Sequence, residues 1–348
     1  MSIYLNNPRE KLSKSIGLNT DGSPLLSDIE IILRAIMPHW WNSAADKLPP
    51  APPLALDIVT ISGGLTNKLY LIKKNKDISC FDKDHAVIIR LYGAGTDLII
   101  DRKVENCVFA QLSTRGIGPT FFGLFQNGRV EEFLIESSVI STEGMVDHSL
   151  YPVVAACVSK LHVQSMDMKL FNDAASESSG NQEEVLWSTL YRFCTVLEER
   201  GPEIMDVMDK SCASGINGAA LIDWMKSMVQ VEQTSGDKLA NILRMETDWL
   251  NAEIKRSAEV ASKAKETSES DDGYWYNLGV VAASDIMFCH NDLLAGNIML
   301  QSDGEAATKV TLIDYEYAGY NCCAYDVANH FCGKRSCEVF LLEWSSVI

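Results

Sequence analysis

One stretch, residues 288–331, constrains this chain more than any other part of its sequence. It reads FCHNDLLAGNIML, continues through a short polar turn, and ends with TKVTLIDYEYAGYNCCAYDVANHF. Asp292 and Asn297 are separated by four residues, and Asp314 follows the β-rich run VTLI. Because such runs are typical of strands, Asp314 is predicted at a strand end. The stretch therefore predicts a loop carrying a carboxylate and an amide, followed by a strand that ends in a second carboxylate.

These three side chains are the minimum set for transferring the γ-phosphoryl group of Mg·ATP. Asp292 would act as the base that accepts or orients the proton of a substrate hydroxyl. Asn297 and Asp314 would bind Mg²⁺ through oxygen atoms. The simpler alternative for Asp292 is a polar N-cap before a helix, which the later Asp314 disfavours.

Two further carboxylates lie in the same stretch. Glu316 can add a negative charge to the metal or phosphate surroundings, and Asp326 can brace the loop by accepting backbone N–H bonds. Surface charge is the simpler alternative for both. The flanking residues are apolar and aromatic, so both side chains are predicted to point inward.

Composition excludes several classes of partner. The chain has 30 Lys and Arg against 47 Asp and Glu, a formal net charge of −17, which disfavours nucleic acids and anionic lipids. No apolar run approaches the roughly 20 residues that span a bilayer, and the N-terminus lacks an apolar signal segment. The ten cysteines form no C-x-x-C pair. We expect a cytoplasmic protein without membrane insertion.

The first part of the chain predicts a small β-rich lobe behind an N-terminal extension. Residues 1–55 form this extension. They predict a helix over 28–37 with Ser27 as its N-cap, followed by a proline-rich connector. Residues 56–134 predict two strands within 56–72, a buried strand over 86–92, a helix over 101–115, and a hairpin across Asn127-Gly128. This order is that of a kinase-type N-lobe.

The remainder, residues 135–348, predicts a mainly helical C-lobe with the catalytic and metal loops at 288–331. Helices are expected over 151–164, 183–199, 219–230 and 237–261. Two polar, low-complexity segments, 173–184 and 262–273, predict exposed loops or disorder. His162 ends the first of these helices, and a lone histidine there is more often structural than catalytic.

Candidate nucleotide-binding residues lie in the predicted N-lobe. A Ser-Gly-Gly turn lets backbone N–H groups approach a phosphate, although an ordinary glycine hairpin is the simpler interpretation. Arg90 ends a strand and Glu105 lies in the next helix, a pairing that can hold phosphates, although Arg90 can equally reach solvent. Backbone groups at the last strand can meet an adenine edge. The cofactor-binding candidates are Ser62, Gly63, Gly64, Thr66, Asn67, Arg90, Glu105, Glu132 and Leu134.

The motifs HNDLLAGNIM, LIDYEYAGYN and YDVANHF resemble the signature of the choline/ethanolamine kinase family, and ISGGLTNKLY, VIIRLYG, TDLIIDR and GRVEEF are also similar. The resemblance covers residues 57–332. It implies an α+β, eukaryotic-protein-kinase-like two-lobed fold that phosphorylates choline or ethanolamine with ATP and Mg²⁺. It also implies Asp292 as base, Asn297 and Asp314 as metal ligands, Arg90 paired with Glu105, and 62–67 as the phosphate loop. TDLIIDR and HNDLLAGN resemble ethanolamine kinases slightly more.

The chain departs from the family pattern after Cys332, where GKRSC and an unrelated tail follow. We therefore expect an incomplete C-lobe that lacks part of the amine-binding side. One alternative is an inactive, truncated family member that binds nucleotide or a full-length subunit. Another is an aminoglycoside-type phosphotransferase, which shares the catalytic spacing but not the longer signature. A homodimer is compatible with the sequence, which does not determine the oligomeric state.

Overall fold

The computed structural model describes residues 6–41, 56–61, 67–74, 85–93, 96, 100–167, 187–188, 190–199, 236–267, 285–303 and 306–332. The chain divides into two compact units. The first comprises Met1–Ser179, His290–Ala318 and Asp326–Ile348, and the second comprises Gly180–Cys289 and Gly319–Tyr325. The predictions for 42–55, 62–66, 173–184, 219–230 and 333–348 lie outside the described residues.

A six-stranded sheet is the largest element of the first unit. Its strand order is β1-β5-β6-β4-β3-β2, antiparallel except where β1 pairs with β5. The predicted strands and the predicted hairpin across Asn127-Gly128 are all present. At Gly128 a Cβ atom would lie 2.1 Å from the Arg90 carbonyl oxygen, so only glycine fits. The strands are β1 Lys11–Leu12, β2 Leu56–Ile61, β3 Asn67–Lys74, β4 Ala86–Tyr92, β5 Phe121–Phe125 and β6 Gly128–Glu132.

Helix α1, Leu26–Ile36, covers one face of this sheet. Its buried Ile29, Ile32 and Leu33 belong to the same core cluster as Val87 and Ile89 of β4. Burying each of these side chains stabilises the fold by about 1.5–3 kcal/mol. Packing in this cluster stabilises α1 as a regular helix on the sheet.

The predicted Ser27 N-cap is wrong, because α1 begins one residue before it with Leu25 in the cap position. The Leu25 N–H donates to the Gly17 carbonyl oxygen at 2.8 Å. The Asp28 carboxylate accepts from the Gly17 N–H at 2.9 Å and thereby anchors the first turn. Tertiary hydrogen bonds therefore set this helix start instead of a local cap.

Helix α2, Arg102–Thr114, follows β4 and packs against β5. The Asp101 side chain caps it by accepting from the N–H groups of Lys103 and Val104 at 3.0 and 3.2 Å. Phe109 of α2 contacts Phe121 of β5 edge to face, with ring centroids 6.1 Å apart. The predicted helix over 101–115 is thus present and fixed at its N-terminal end.

The rest of the first unit carries a three-stranded sheet of order β10-β9-β7 and helix α3. Helix α3 packs on β10, where the Cys157 thiol lies 3.5 Å from the Val310 carbonyl oxygen. Strand β10 ends two residues before Asp314, as the sequence predicts. The bounds are β7 Ser137–Val139, α3 Tyr151–His162, β9 Ile298–Asp303 and β10 Ala306–Leu312.

The second unit contains helix α4, Gly236–Thr267, and a two-stranded sheet of β8, Ile286–Cys289, with β11, Gly319–Cys322. Residues 190–199 are also helical, and Arg244 of α4 pairs with Glu198 at 2.8 Å. Helix α4 continues through residues 262–267, which the sequence predicted as the start of an exposed loop. Good helix formers in KAKE explain the extension. Helix α5, Cys323–Cys332, ends the described chain. None of the helices in the described ranges is long and apolar enough to span a bilayer.

Candidate active site

Asp326 of α5 holds the loop that carries Asp292. Its carboxylate is fully buried and accepts hydrogen bonds from the backbone N–H groups of His290 and Asn291, both at 2.8 Å. The same carboxylate lies 2.9 Å from Nε2 of His162 at the end of α3. One side chain thereby fixes two consecutive backbone groups directly before Asp292.

A second set of bonds ties this loop to the segment after β10. The His290 ring Nε2 lies 2.9 Å from the Ile313 carbonyl oxygen, and Asn291 Nδ2 donates to the Tyr317 carbonyl oxygen at 3.0 Å. Asn291 and Asp314 both have φ in the left-handed region, at 63° and 65°. Such conformations cost roughly 1–3 kcal/mol and are kept where the surroundings over-determine them, as at functional sites.

Aromatic rings connect the same loop to the six-stranded sheet. The ring of Tyr315 lies 5.1 Å from that of His290 and 6.1 Å from that of Phe109, which in turn contacts Phe121. The Tyr315 hydroxyl donates to the Leu312 carbonyl oxygen at 2.8 Å. Because these contacts lie within one compact unit, the loop that carries Asp292 and helix α2 share a packed core.

Asn297 orients Asp292 directly. Its Nδ2 donates to the backbone oxygen of Asp292 at 2.8 Å and to Asp292 Oδ2 at 2.9 Å. Burial raises the pKa of Asp292; its neighbours His290 and Asn297 oppose this shift, and Asp314 adds to it. The arrangement leaves Oδ1 of Asp292 without a hydrogen bond from the described part of the chain, so it can accept one from a substrate hydroxyl.

Asp314 and Asn297 provide the oxygen atoms that a magnesium ion prefers. Asn297 uses its amide nitrogen for Asp292, which leaves its Oδ1 for a cation, and the Ile313 N–H bonds the Asn297 backbone oxygen at 3.0 Å. Asp314 Oδ1 lies 3.0 Å from Arg90 Nη1, and its side chain is 25% exposed. Carboxylate and amide oxygens on adjoining segments fit Mg²⁺ well.

The predicted pairing of Arg90 with Glu105 is wrong. Arg90 Nη1 bonds Asp314, and its Nε lies 3.3 Å from Oε1 of Glu131. Glu105 instead pairs with Arg129 at 2.5 Å and with Arg102 at 2.7 Å. The sheet register explains the difference, because Arg129 lies directly opposite Arg90 on β6 and reaches α2 in its place.

Arg90, Glu105, Arg129 and Glu131 form what we call the sheet charge cluster. Glu131 bridges the two arginines, with Oε2 2.6 Å from Arg129 Nε. Burial alone would raise the pKa of Glu105, but Arg129, Arg102 and Arg90 lower it to about 2. Burial also opposes the charge of Arg129, yet Glu105 and Glu131 hold its pKa well above the usual value. The cluster therefore stays ionised although it is buried.

Asn67 and Glu316 lie beside this cluster. The Asn67 Nδ2 is 3.5 Å from Oε2 of Glu316, and its Oδ1 accepts from Arg102 Nη2 at 3.0 Å. Burial raises the pKa of Glu316 to about 7, with Asp314 and Glu105 contributing and Arg102 opposing. The other phosphate-loop candidates, Ser62, Gly63, Gly64 and Thr66, lie outside the described residues.

At the predicted adenine edge, Glu132 bonds Thr120 through both its side chain and its N–H. Its Oε2 accepts from the N–H and hydroxyl of Thr120 at 2.8 and 2.6 Å, and its own N–H donates to the Thr120 carbonyl oxygen. That N–H is therefore not available to a base edge. Leu134, two residues beyond the end of β6, stays a prediction.

An apolar surface continues the sheet face that carries Arg90. Ile88 precedes Arg90 by two residues on β4, and Leu71 and Leu69 of β3 pair in register with Ile88 and Arg90. Leu71, Ala86 and Ile88 form a buried cluster against which Ile61, Leu69 and Phe133 pack while half-buried. A flat apolar ligand would therefore lie next to the charged groups.

Residues 58–336 match the choline/ethanolamine kinase family model. The chain belongs to this family. It is 27% identical over 308 residues to "Probable choline kinase 2" of Arabidopsis thaliana, covering 88% of this chain and 65% of the relative. It is 25% identical to "Ethanolamine kinase 2" of Mus musculus, covering 86% of this chain and 56% of the relative. The chain thus spans less than two thirds of the length of these relatives.

Solved structures show the fold of the family. A choline kinase from Cryptosporidium parvum matches with a TM-score of 0.53 at 21% identity, covering 88% of this chain and 69% of that chain. An ethanolamine kinase from Plasmodium vivax matches with a TM-score of 0.53 at 23% identity, covering 92% and 70%. The predicted α+β, protein-kinase-like fold is confirmed.

Four residues of this candidate site were missed by sequence reasoning. Arg129 and Glu131 carry a readable signal, since they alternate on β6 and so share a face with Arg90. Arg102 is part of the quoted TDLIIDR motif but had no assigned role. His162, interpreted as structural, contacts Asp326, and no local pattern in the sequence connects residues 164 positions apart.

Proposed function

We propose that this family member transfers the γ-phosphoryl group of ATP to the hydroxyl of ethanolamine or choline, giving the phospho-amino alcohol used in phospholipid synthesis. The observation that carries the proposal is the contact of Asn297 Nδ2 with Asp292 Oδ2 at 2.9 Å, beside Asp314 held by Arg90 at 3.0 Å. A base, an amide and a carboxylate so arranged match the requirements of in-line phosphoryl transfer.

Asp292 is the base in this proposal. Its raised pKa makes it a better proton acceptor than an exposed aspartate, while Asn297 fixes its second oxygen. The backbone N–H bonds to Asp326 hold the loop before Asp292, which reduces the motion needed to reach the acceptor hydroxyl.

The nucleotide side uses Asn297, Asp314 and Arg90. Asn297 and Asp314 would hold Mg²⁺, which would offset the negative charge of the phosphates during transfer. Arg90 holds Asp314 in position and carries a permanent charge for the phosphates. The apolar surface around Ile88 and Leu71 supports an adenine ring next to these charges.

The acceptor is an amino alcohol, with ethanolamine slightly preferred on motif similarity. The curated relatives named above include a choline kinase and an ethanolamine kinase, so both substrates belong in the test. We also retain, as proposals, the division into an N-lobe at 56–134 and a C-lobe at 135–348, and a cytoplasmic location.

A coupled ADP-release assay with ethanolamine, choline and an aminoglycoside panel tests the proposal. We expect turnover with at least one of the two amines and loss of it in Asp292→Ala and Asp314→Ala. Retained turnover in either variant overturns the assigned roles. Nucleotide binding without turnover favours the alternative of a non-catalytic family member that partners another subunit. Turnover with aminoglycosides alone favours an aminoglycoside-type phosphotransferase.

A further inference from the structure

Arg102, the first residue of α2, contacts three other segments of the chain through its guanidinium group. Nη2 donates to Asn67 Oδ1 at 3.0 Å and to Thr96 Oγ1 at 2.5 Å. Nη1 bonds Oε2 of Glu105 at 2.7 Å and lies 3.7 Å from Oε2 of Glu316. The side chain is only 13% exposed, so these contacts are largely shielded from water.

Charge neutralisation of Glu105 does not explain this arrangement. Glu105 already pairs with Arg129 at 2.5 Å, and both Nη2 contacts of Arg102 go to uncharged oxygens. The guanidinium also stacks on the Tyr92 ring, 4.6 Å from its centroid, while Nε is buried without a hydrogen-bond partner in the described residues. A guanidinium group that bonds several segments at once fixes their relative positions more than it adds to the free energy of unfolding.

The contacts of Arg102 with Asn67 and with Glu316 connect β3 to the segment after β10, the two sides of the proposed nucleotide site. Asn67 is the first residue of β3, and Glu316 follows Asp314 by two residues. Asn67 and Glu316 also approach each other at 3.5 Å, so Arg102, Asn67 and Glu316 form a closed triangle. Removing Arg102 opens two sides of that triangle and weakens the connection between Glu316 and the start of β3.

We propose that Arg102 is a positioning residue for the Mg·nucleotide complex, an inference that rests on the proposed function. It couples the N-terminus of α2 to β3 and to the carboxylate segment after β10. Loss of the Arg102 guanidinium weakens binding that depends on Mg²⁺, because Glu316, two residues after Asp314, is then held less firmly against the start of β3. The base Asp292 is unaffected, because Asn297 bonds it directly and Asp326 braces the two residues before it.

Calorimetric titration of ADP, with Mg²⁺ and with EDTA, tests this role. We expect Arg102→Met to bind Mg·ADP about tenfold more weakly or worse, since charge-assisted hydrogen bonds are lost. The affinity for ADP in EDTA should change by less than about threefold. Arg102→Lys should behave like Arg102→Met, because one ammonium cannot reach Asn67 and Glu105 as a planar fork does.

The matched control is Arg34→Met, which removes an arginine paired with Glu30 on α1, remote in sequence from these segments. It should bind Mg·ADP like the wild type. Mg·ADP affinity of Arg102→Met within about twofold of the wild type, or an equal loss with and without Mg²⁺, overturns the inference. If Arg102→Met does not fold, Arg102→Lys decides by the same two criteria.

A double-mutant cycle with Asn67→Ala gives a second, independent measurement. If Arg102 acts by positioning Asn67, the double variant should bind Mg·ADP nearly as well as the weaker single variant. If the affinity losses of the two single variants multiply in the double variant, the inference is overturned. Failure of the wild type to bind any nucleotide overturns the proposed function itself, an outcome distinct from unchanged affinity in the variants.

Discussion

The sheet charge cluster and the loop around Asp292 are both buried and polar, but they are stabilised in different ways. In the cluster, Arg129 and Glu131 are held by opposite charges on other side chains. In the loop, Asp326 is held mainly by backbone N–H groups. A charge paired with a charge depends on its partner remaining ionised, whereas a carboxylate bonded to backbone amides depends on the loop conformation. The cluster should therefore govern stability and the loop should govern catalysis.

The largest expected effect is on turnover, and it distinguishes the loop around Asp292 from the sheet charge cluster. Asp292→Asn should lower kcat by roughly 10²–10⁴-fold, because the base is lost. It should not lower the melting temperature, since burial already disfavours the charged form of Asp292. Coupled-assay kinetics and thermal unfolding on the same preparations measure both quantities. A large loss of stability would show that this loop is also held by charge.

The second largest effect is expected from a substitution in the sheet charge cluster. Arg129→Met should lower the free energy of unfolding by about 3–5 kcal/mol, because Glu105 and Glu131 lose a buried partner. Denaturant unfolding measures the loss. The control Arg34→Met removes a half-buried pair of the i,i+4 type, worth about 0.3–0.5 kcal/mol. Similar effects in the two variants would contradict the assigned role of the cluster.

A smaller effect should follow from Asp326→Asn. The new NH₂ group would face donors at His290 and Asn291, and the loss of charge-assisted bonds should cost about 1.5–3 kcal/mol. Turnover should fall, and backbone amides at 290 and 291 should exchange faster with solvent. Asp147→Asn is the matched control, since that exposed carboxylate also accepts a backbone N–H, from Ser149 at 2.8 Å. Unchanged exchange at 290 and 291 would remove Asp326 from its bracing role.

The smallest effect concerns pH. The pKa of Glu105 is about 2 in the folded protein against an ordinary value near 4.5, so the unfolded chain binds the proton more readily. The stabilisation is present above the unfolded pKa and is lost as pH falls toward the folded pKa, by about 2 kcal/mol between pH 5 and pH 3. Glu105→Gln should flatten this part of the stability curve. Parallel curves for wild type and variant would show that other groups cause the loss.

The sequence alone determined much of the local structure. The apolar run of β4, the Asn-Gly turn between β5 and β6 and the fourfold spacing of Val104, Val108 and Leu112 in α2 each indicate an element that is present. Periodicity and turn chemistry are local properties of the sequence. The spacing of Asp292, Asn297 and the later Asp314 predicted side chains that adjoin in one unit, since one loop and one strand end carry all three.

Only the tertiary structure decided which charges meet. Arg90 pairs with Glu131 and Asp314 instead of Glu105, because the β4–β6 register brings Arg129 opposite Arg90 and into contact with α2. The contact between His162 and Asp326 likewise joins two helices far apart in the chain. Ion pairs and hydrogen bonds form between whichever groups the packing brings within about 3 Å, and no one-dimensional pattern encodes that distance.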